Sequence, residues 1–395
     1  MNERSATVTE RLYEADSHLF TFTATVLSCD PTEGGYAVIL DRTAFFPTGG
    51  GQPCDTGTLD GIPVTDVAIV GAAVIHTLSY PLPVGATICG RIREGERRSR
   101  MAAHSGEHLL SAVLFTRHGL QNIGFHLGSQ EVTCDFDGVI DDTALVAAEE
   151  EVNRLIRENH PIIAYYPAPE TLAVLSYRSK LSLTEGVRIV AIGKEGKIDR
   201  CACCAPHVAY TGEIGLMRIV AREHYKGGLR LHLLCGAVAL ARAREDAACV
   251  TALSNLLSAK PNGPAVTEAV GRLSEELRRR KEEASALHDA LNRAVCRTLI
   301  PGQTPQLLFD ERDDAVVLRR LAVEAAEAVG GTVMVCGGTP LCRFVCCGKD
   351  AKSMFSALKA SLGLRGGGSD TLVCGSLSVT REAVATAFAA LSEAE

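Results

Sequence analysis

No uninterrupted apolar run in this sequence reaches the roughly 18 residues of a membrane-spanning helix, and the N-terminus, Met1-Asn-Glu-Arg-Ser-Ala-Thr-Val-Thr-Glu10, has no apolar signal core. The expectation is therefore a cytoplasmic protein with no membrane partner. No Gly-Lys-Ser/Thr follows the three consecutive glycines at 49–51, and their spacing is not that of a dinucleotide fingerprint, so neither nucleotide-binding loop is present there. Long repeats and low-complexity tracts are also missing. The net charge of −7 argues against indiscriminate nucleic-acid binding, although it averages over the chain and leaves room for a local basic surface. Cysteine is not scarce, but fifteen thiols, an odd number scattered from Cys29 to Cys374, are not a secreted disulfide framework. Most are expected to be reduced, small and buried.

Two pairs of metal-binding side chains stand out. In Met101-Ala-Ala-His-Ser-Gly-Glu-His-Leu-Leu110, His104 and His108 are four residues apart on an apolar helix, which puts both imidazoles on one face. About a hundred residues later, Arg200-Cys-Ala-Cys-Cys-Ala-Pro-His207 sets Cys203 and His207 at the same spacing. Either pair alone is more often packing than ligation. Together they make a four-ligand zinc site. Cys201 and Cys204 form a further C-x-x-C pair beside it.

At 395 residues the chain exceeds one ordinary core. The expected fold is a multidomain α+β protein. Residues 1–90 read as a small β-barrel, from alternating, β-branched stretches such as 21–28, 36–40 and 64–78 punctuated by Gly and Pro. Residues 91–236 read as an α+β core holding the zinc site, with a helix from Ser99 to Gly119. Residues 237–298 read as an antiparallel helical hairpin around the breaker Lys260-Pro-Asn-Gly-Pro264, with a heptad stripe of Val270, Leu273, Leu277, Ala284, Leu287 and Leu291. Residues 299–395 read as an α/β domain with a glycine loop at 363–370. Arg91, Arg93, Arg97, Arg98 and Arg100, and then Arg278-Arg-Arg-Lys281, are basic runs: solvated faces on the ordinary reading, phosphate tracks on the sharper one.

The combination of Phe45-Phe-Pro-Thr-Gly-Gly-Gly-Gln52, His104-x-x-x-His108, Cys203-x-x-x-His207 and Thr211-Gly-Glu-Ile-Gly215 resembles the editing domain of alanyl-tRNA synthetases and its freestanding AlaX relatives. Residues from about 300 onward, with Arg365-Gly-Gly-Gly368 and Cys374-Gly-Ser376, resemble the DHH-associated domain that ends those synthetases, as in the long AlaX type. No class II synthetase core is present. The resemblance implies a deacylase acting on mischarged tRNA(Ala), with Zn2+ on His104, His108, Cys203 and His207, no ATP needed for hydrolysis, and room for a homodimer through the C-terminal domain. The family's usual Cys-Gly-Gly-Thr-His appears here as Cys-Cys-Ala-Pro-His.

Ester hydrolysis needs a positioned water, a polarised carbonyl and donors for the tetrahedral oxyanion. Thr48, Gly50, Gly51 and Gln52 are the catalytic candidates: the glycine turn offers backbone N–H groups to the carbonyl or ribose, and Gln52 a side chain to orient water. Alanine is smaller than serine, so sterics cannot admit Ser-tRNA(Ala) and spare Ala-tRNA(Ala). The pocket must reward the hydroxyl. His126, Gln130 and Thr133 are the candidates for that contact, and Arg365 for the tRNA. Two other classes remain. His104-Ser-Gly-Glu-His108 also fits the H-x-x-E-H peptidase motif, with Glu107 as general base, and the zinc would be purely structural in a non-catalytic tRNA-binding or oligomerisation module.

Overall fold

In the computed structural model, residues 8–128, 131–179 and 186–392 are described, and the chain divides into two compact units, Met1–Cys249 and Val250–Glu395. The architecture is α+β in several layers, as the sequence patterns suggest. No described helix is long and apolar enough to cross a membrane.

The first unit opens with six antiparallel strands, paired in the order Thr21–Thr32, Gly35–Leu40, Ala73–Leu78, Ile62–Val70, Gly57–Leu59 and Thr87–Ile92, the last returning to the first. Alternation sends Phe22, Ala24 and Val26 inward to meet Val38, Leu40, Leu59, Val67, Val74 and Leu78. A histidine also sits in this core. His76 lies with its Nε2 2.8 Å from the Thr43 hydroxyl and its Nδ1 3.3 Å from the Val38 carbonyl. Because the carbonyl can only accept, the proton belongs on Nδ1 and the hydroxyl donates to Nε2. That hydroxyl in turn accepts from the Phe45 amide, fixing the start of the glycine segment.

The helix that carries His104 and His108 runs from Glu94 to His118 and stops at Gly119, in the left-handed conformation that favours glycine. Ser99, expected as its N-cap, lies inside it. Glu94 and Glu96 occupy the first turn, where carboxylates complement the helix dipole, and pair with Arg98 and Arg100 one turn on. From His104 to Leu114 every residue is buried. Ser105, Glu107 and Ser111 therefore sit inside a core and must find partners there. Around the helix lie a four-stranded sheet, ordered Met217–Tyr225, Gly228–Cys235, Val132–Phe136 and Asn122–Leu127, and a three-stranded one of Ile162–Tyr165, Ile189–Ile192 and Asp199–Ala202. Arg97 ties the helix to the barrel: its Nε donates to Asp55 Oδ1 at 2.9 Å, its Nη2 to Asp55 and the Ala44 carbonyl, and both side chains are buried.

Carboxylates accompany both basic runs. Arg93, Arg98 and Arg100 pair with Glu94 or Glu96, and Arg97 is interior. Arg278, Arg279 and Arg280 pair with Glu275, Glu276, Glu282 and Glu283.

The boundary between the units falls inside the helix Gly236–Leu256. In the second unit, Gly263–Cys296 is a helix capped by the Asn262 side chain, and Leu273, Leu277 and Leu287 of its heptad stripe are exposed. A five-stranded sheet follows, ordered Gln306–Asp310, Val333–Gly337, Arg343–Cys347, Leu372–Ser376 and Arg365–Gly368, with only the first pair parallel. Leu318, Leu321 and Ala325 cover one face, and Leu358 and Phe388 the other. The expected glycine loop is thus an edge strand. Its glycines permit close strand pairing, since a Cβ on Gly366 would stand 2.3 Å from the Cys374 carbonyl oxygen.

Candidate functional site

The helix and the cysteine loop meet. His104, His108, Cys203 and His207 each offer one donor atom, and the four lie within 4.8 Å of one another. Cys203 Sγ is 3.6 Å from His104 Nε2 and 3.3 Å from His207 Nε2. Donors at zinc-like bond lengths of about 2.0–2.3 Å, spread tetrahedrally, stand roughly 3.3–3.8 Å apart, so these contacts suit one small metal ion. Chemistry agrees with geometry. Burial pushes the Cys203 thiol up to about 12 and the His207 imidazole well below its ordinary range; a cation at the centre would make the thiolate the favoured form. Neither Cys201 nor Cys204 belongs to the cluster.

Neighbouring side chains aim the ligands. Gln52 Oε1 accepts from His104 Nδ1 at 2.8 Å, Ser105 Oγ accepts from His207 Nδ1 at 3.0 Å, and Asp199 Oδ2 lies 3.8 Å from His108 Nδ1. The first two contacts turn an Nε2 inward, toward Cys203, the usual outer-shell arrangement at metal sites. Asp199 is itself held by Arg178, at 2.8 and 2.6 Å. Phe125 stacks on His104 with ring centroids 4.6 Å apart. Arg188, buried, donates to the carbonyls of Cys203 and Ala205 at 3.1 and 3.0 Å and so shapes the ligand loop. The loop's far end is secured by the Thr211–Ile214 turn, where Glu213 accepts from the Ala209 and Tyr210 amides and Thr211 donates to the Leu155 carbonyl.

The glycine segment is a tight turn beside this cluster. Gly49 and Gln52 exchange both backbone hydrogen bonds at 3.0 Å, while Gly50 and Gly51 take φ of +59° and +82°, as a two-residue hairpin turn with both central residues left-handed requires. A Cβ on Gly51 would meet the Phe125 carbonyl oxygen at 2.3 Å, whereas one on Gly50 would meet open space. The Gly51 carbonyl accepts from the Leu127 amide at 2.7 Å, locking the turn to the strand that carries Phe125. Among the described residues the Gly50 and Gly51 amides have no backbone acceptor. Thr48, exposed, spends its hydroxyl accepting from the Cys54 amide at 3.1 Å. Gln52 is buried; its oxygen serves His104, and its Nε2 has no hydrogen-bond partner.

A cleft of about 730 Å³ opens over the cluster, lined by Gly50, His104, Glu107, His108, Asn122 and Phe125 among others. His126 and Thr133 do not reach it. They face each other across the Asn122–Leu127 and Val132–Phe136 pair, on the side opposite Phe125, because strand neighbours alternate faces. Gln130 lies outside the described residues. Arg365 is exposed on the edge strand of the second unit. The sequence reading missed Ser105, Arg188 and Asp199, which lie outside the four-donor cluster and contact its members; their burial, set by the fold, has no signal in the sequence.

Residues 187–231, which include Arg188, Asp199, Cys203 and His207, match the second additional domain of threonyl- and alanyl-tRNA synthetases. The alanyl-tRNA editing protein AlaX-L of Pyrococcus horikoshii is 30% identical, over 60% of this chain and 60% of that protein. The alanyl-tRNA editing protein Aarsd1 of Mus musculus is 32% identical over 54% and 56%. This chain is similar to the alanyl-tRNA editing proteins. The alanine–tRNA ligase of Pyrobaculum neutrophilum is similar at greater length, 30% identical over 96% of this chain but 44% of the ligase. The chain thus spans roughly half the length of these relatives. Against the alanyl-tRNA editing pattern, the Cys-Cys-Ala-Pro-His loop keeps its ligands in place by turning Cys204 outward and packing Ala205 against Tyr13 and Phe46.

Proposed function

We propose that this chain is an aminoacyl-tRNA deacylase that hydrolyses mischarged tRNA(Ala) in trans, Ser-tRNA(Ala) above all, with zinc held by His104, His108, Cys203 and His207. The observation that carries the reading is the convergence of these four donors in a cleft beside a turn with two uncommitted amides, in a homologue of editing proteins. Water adds to the ester carbonyl carbon, the bond to the ribose oxygen breaks, and a free amino acid and a ribose hydroxyl result; no nucleotide triphosphate enters. Bound zinc would supply Lewis acidity and a fixed point for a substrate oxygen. Four protein donors fill a tetrahedral shell, which favours positioning over activation of water.

The remaining work falls to the chain. The Gly50 and Gly51 N–H groups are donors for the developing oxyanion, and Gln52 couples their turn to His104. The second unit, with Arg365 on its open edge strand, is assigned to contacts with the tRNA backbone, which position without reading bases; the same unit is where a homodimer would form. Purified protein is incubated with Ser-, Gly- and Ala-tRNA(Ala), with and without chelator. Rapid release of serine, spared alanine and inhibition by chelation are expected. Cleavage of peptides instead would favour the H-x-x-E-H peptidase reading. Tight tRNA binding with no deacylation would leave a structural metal in a binding module.

A further inference from the structure

Glu107 is a buried carboxylate on the cleft wall with no arginine or lysine in ion-pair contact among the described residues, Arg178 acting on it only from a distance. Of the two acidic residues nearest the cluster, Asp199 is committed to Arg178 at 2.8 and 2.6 Å. Glu107 has no such partner among the described residues. Its Oε1 accepts from the Ser111 hydroxyl and from Asn122 Nδ2, each at 2.5 Å. Its Oε2 accepts no hydrogen bond among the described residues and lies 3.9 Å from the Nε2 of His108, a member of the cluster. Ser111 and Asn122 thus pin one oxygen and hold the other toward the cleft. A carboxylate removed from water loses a large solvation energy that neutral donors restore only in part, so the site as built is suited to a cation.

We infer that Glu107 binds the α-ammonium group of the aminoacyl ester, an inference that rests on the deacylase reading and names the part of the substrate this wall recognises. The dimensions agree. An ammonium nitrogen hydrogen-bonded to Oε2 at about 2.8 Å has its carbonyl carbon two bonds, about 2.5 Å, away. With Oε2 itself 3.9 Å from His108 Nε2, the ester carbonyl comes to rest beside the metal ligands. Every aminoacyl ester carries this group, so Glu107 does not tell serine from alanine. It selects a chemical class: esters with a free α-amine, to the exclusion of chains whose amine is acylated, such as peptidyl ends.

The test uses the full-length, metal-loaded protein and two substrates of one size: Ser-tRNA(Ala) and the same ester after nitrous acid has replaced its amine by a hydroxyl. Wild type is expected to prefer the amine in kcat/KM. Glu107→Gln, which keeps shape and loses charge, is expected to lower kcat/KM for the amine substrate about 10- to 100-fold more than for the deaminated one, the range of a lost charged hydrogen bond, with metal content unchanged. An equal fall on both substrates would overturn the proposal in favour of a role in proton transfer, and loss of metal from the variant in favour of ligation. Calorimetry with the non-hydrolysable 3′-amide of seryl-adenosine and its deaminated counterpart reads the contact without turnover or mutation. A wild type that binds both equally overturns the inference. Preference for the amine without deacylation would instead overturn the deacylase reading and leave the ammonium site standing.

Discussion

Replacing Ser105 by Ala is expected to weaken metal binding much more than it weakens the apo fold. His207 turns Nε2 toward the cluster, so with a metal bound its proton must sit on Nδ1, where Ser105 Oγ accepts it at 3.0 Å. Without metal the neutral ring is free to move its proton to Nε2 and accept from the serine hydroxyl instead. The alanine variant therefore leaves a buried N–H unsatisfied chiefly in the metal-bound state, at about 1–3 kcal/mol, or about 10- to 100-fold in affinity. The Val208 amide, which donates to the same oxygen at 3.3 Å, loses its acceptor in both states and contributes little to the difference. Equilibrium competition against a chromophoric chelator measures the affinity, and apo-protein melting gives the control. Ser105→Thr should restore most of the loss. Affinity within twofold of wild type in Ser105→Ala would refute the argument that outer contacts set the orientation of His207.

Burial holds the His76 pKa down at about 4, against 6.5 for an ordinary imidazole. The unfolded chain then takes up a proton that the folded one refuses, so stability is full above about pH 6.5 and falls toward pH 4 by about 3 kcal/mol. Urea unfolding at pH 7 and 4.5 should show a drop that His76→Phe lessens; equal drops in both proteins would remove His76 as the cause. Arg97→Met should cost about 3–5 kcal/mol, because it strands the buried Asp55 carboxylate, and the double variant with Asp55→Leu should recover part of it; a change under 1 kcal/mol in the melting-derived stability of Arg97→Met would contradict this. Gly51→Ala should impair metal binding and activity far more than Gly50→Ala, since only the former drives a Cβ against the Phe125 carbonyl. Metal titration of the pair checks it, and equal effects would mean that positive φ alone matters.

The four cluster residues were readable in the sequence because their order is local: two residues on one helix face, two on one loop, and a spacing of four in each. Gly119 and the breaker Lys260-Pro-Asn-Gly-Pro264 were legible for the same reason. The start of the helix that carries His104 and His108 was misplaced by Ser99, which resembles a cap, although Glu94 and Glu96 already carried first-turn charge and (i, i+4) partners. Those same partners disclose, in retrospect, that the arginine runs are neutralised. What stayed hidden depends on contacts across the fold. Gln52 and Asp199 meet the histidines from separate elements, and Arg97 is interior only because Asp55 comes to it from the barrel. His126 and Phe125 are adjacent in sequence, and only the register of their strand decides which one reaches the cleft.

The most direct measurement joins metal content to chemistry in one variant. Cys203→Ala keeps three imidazoles, two of them on the helix, and removes the only sulfur in the cluster. Metal per chain and the single-turnover rate of serine release from Ser-tRNA(Ala) are measured on the same preparation. The account expects about one metal ion per wild-type chain and a parallel collapse of metal content and rate in the variant, with its fold intact by circular dichroism. A folded Cys203→Ala protein that holds no metal and still releases serine at the wild-type rate would contradict it.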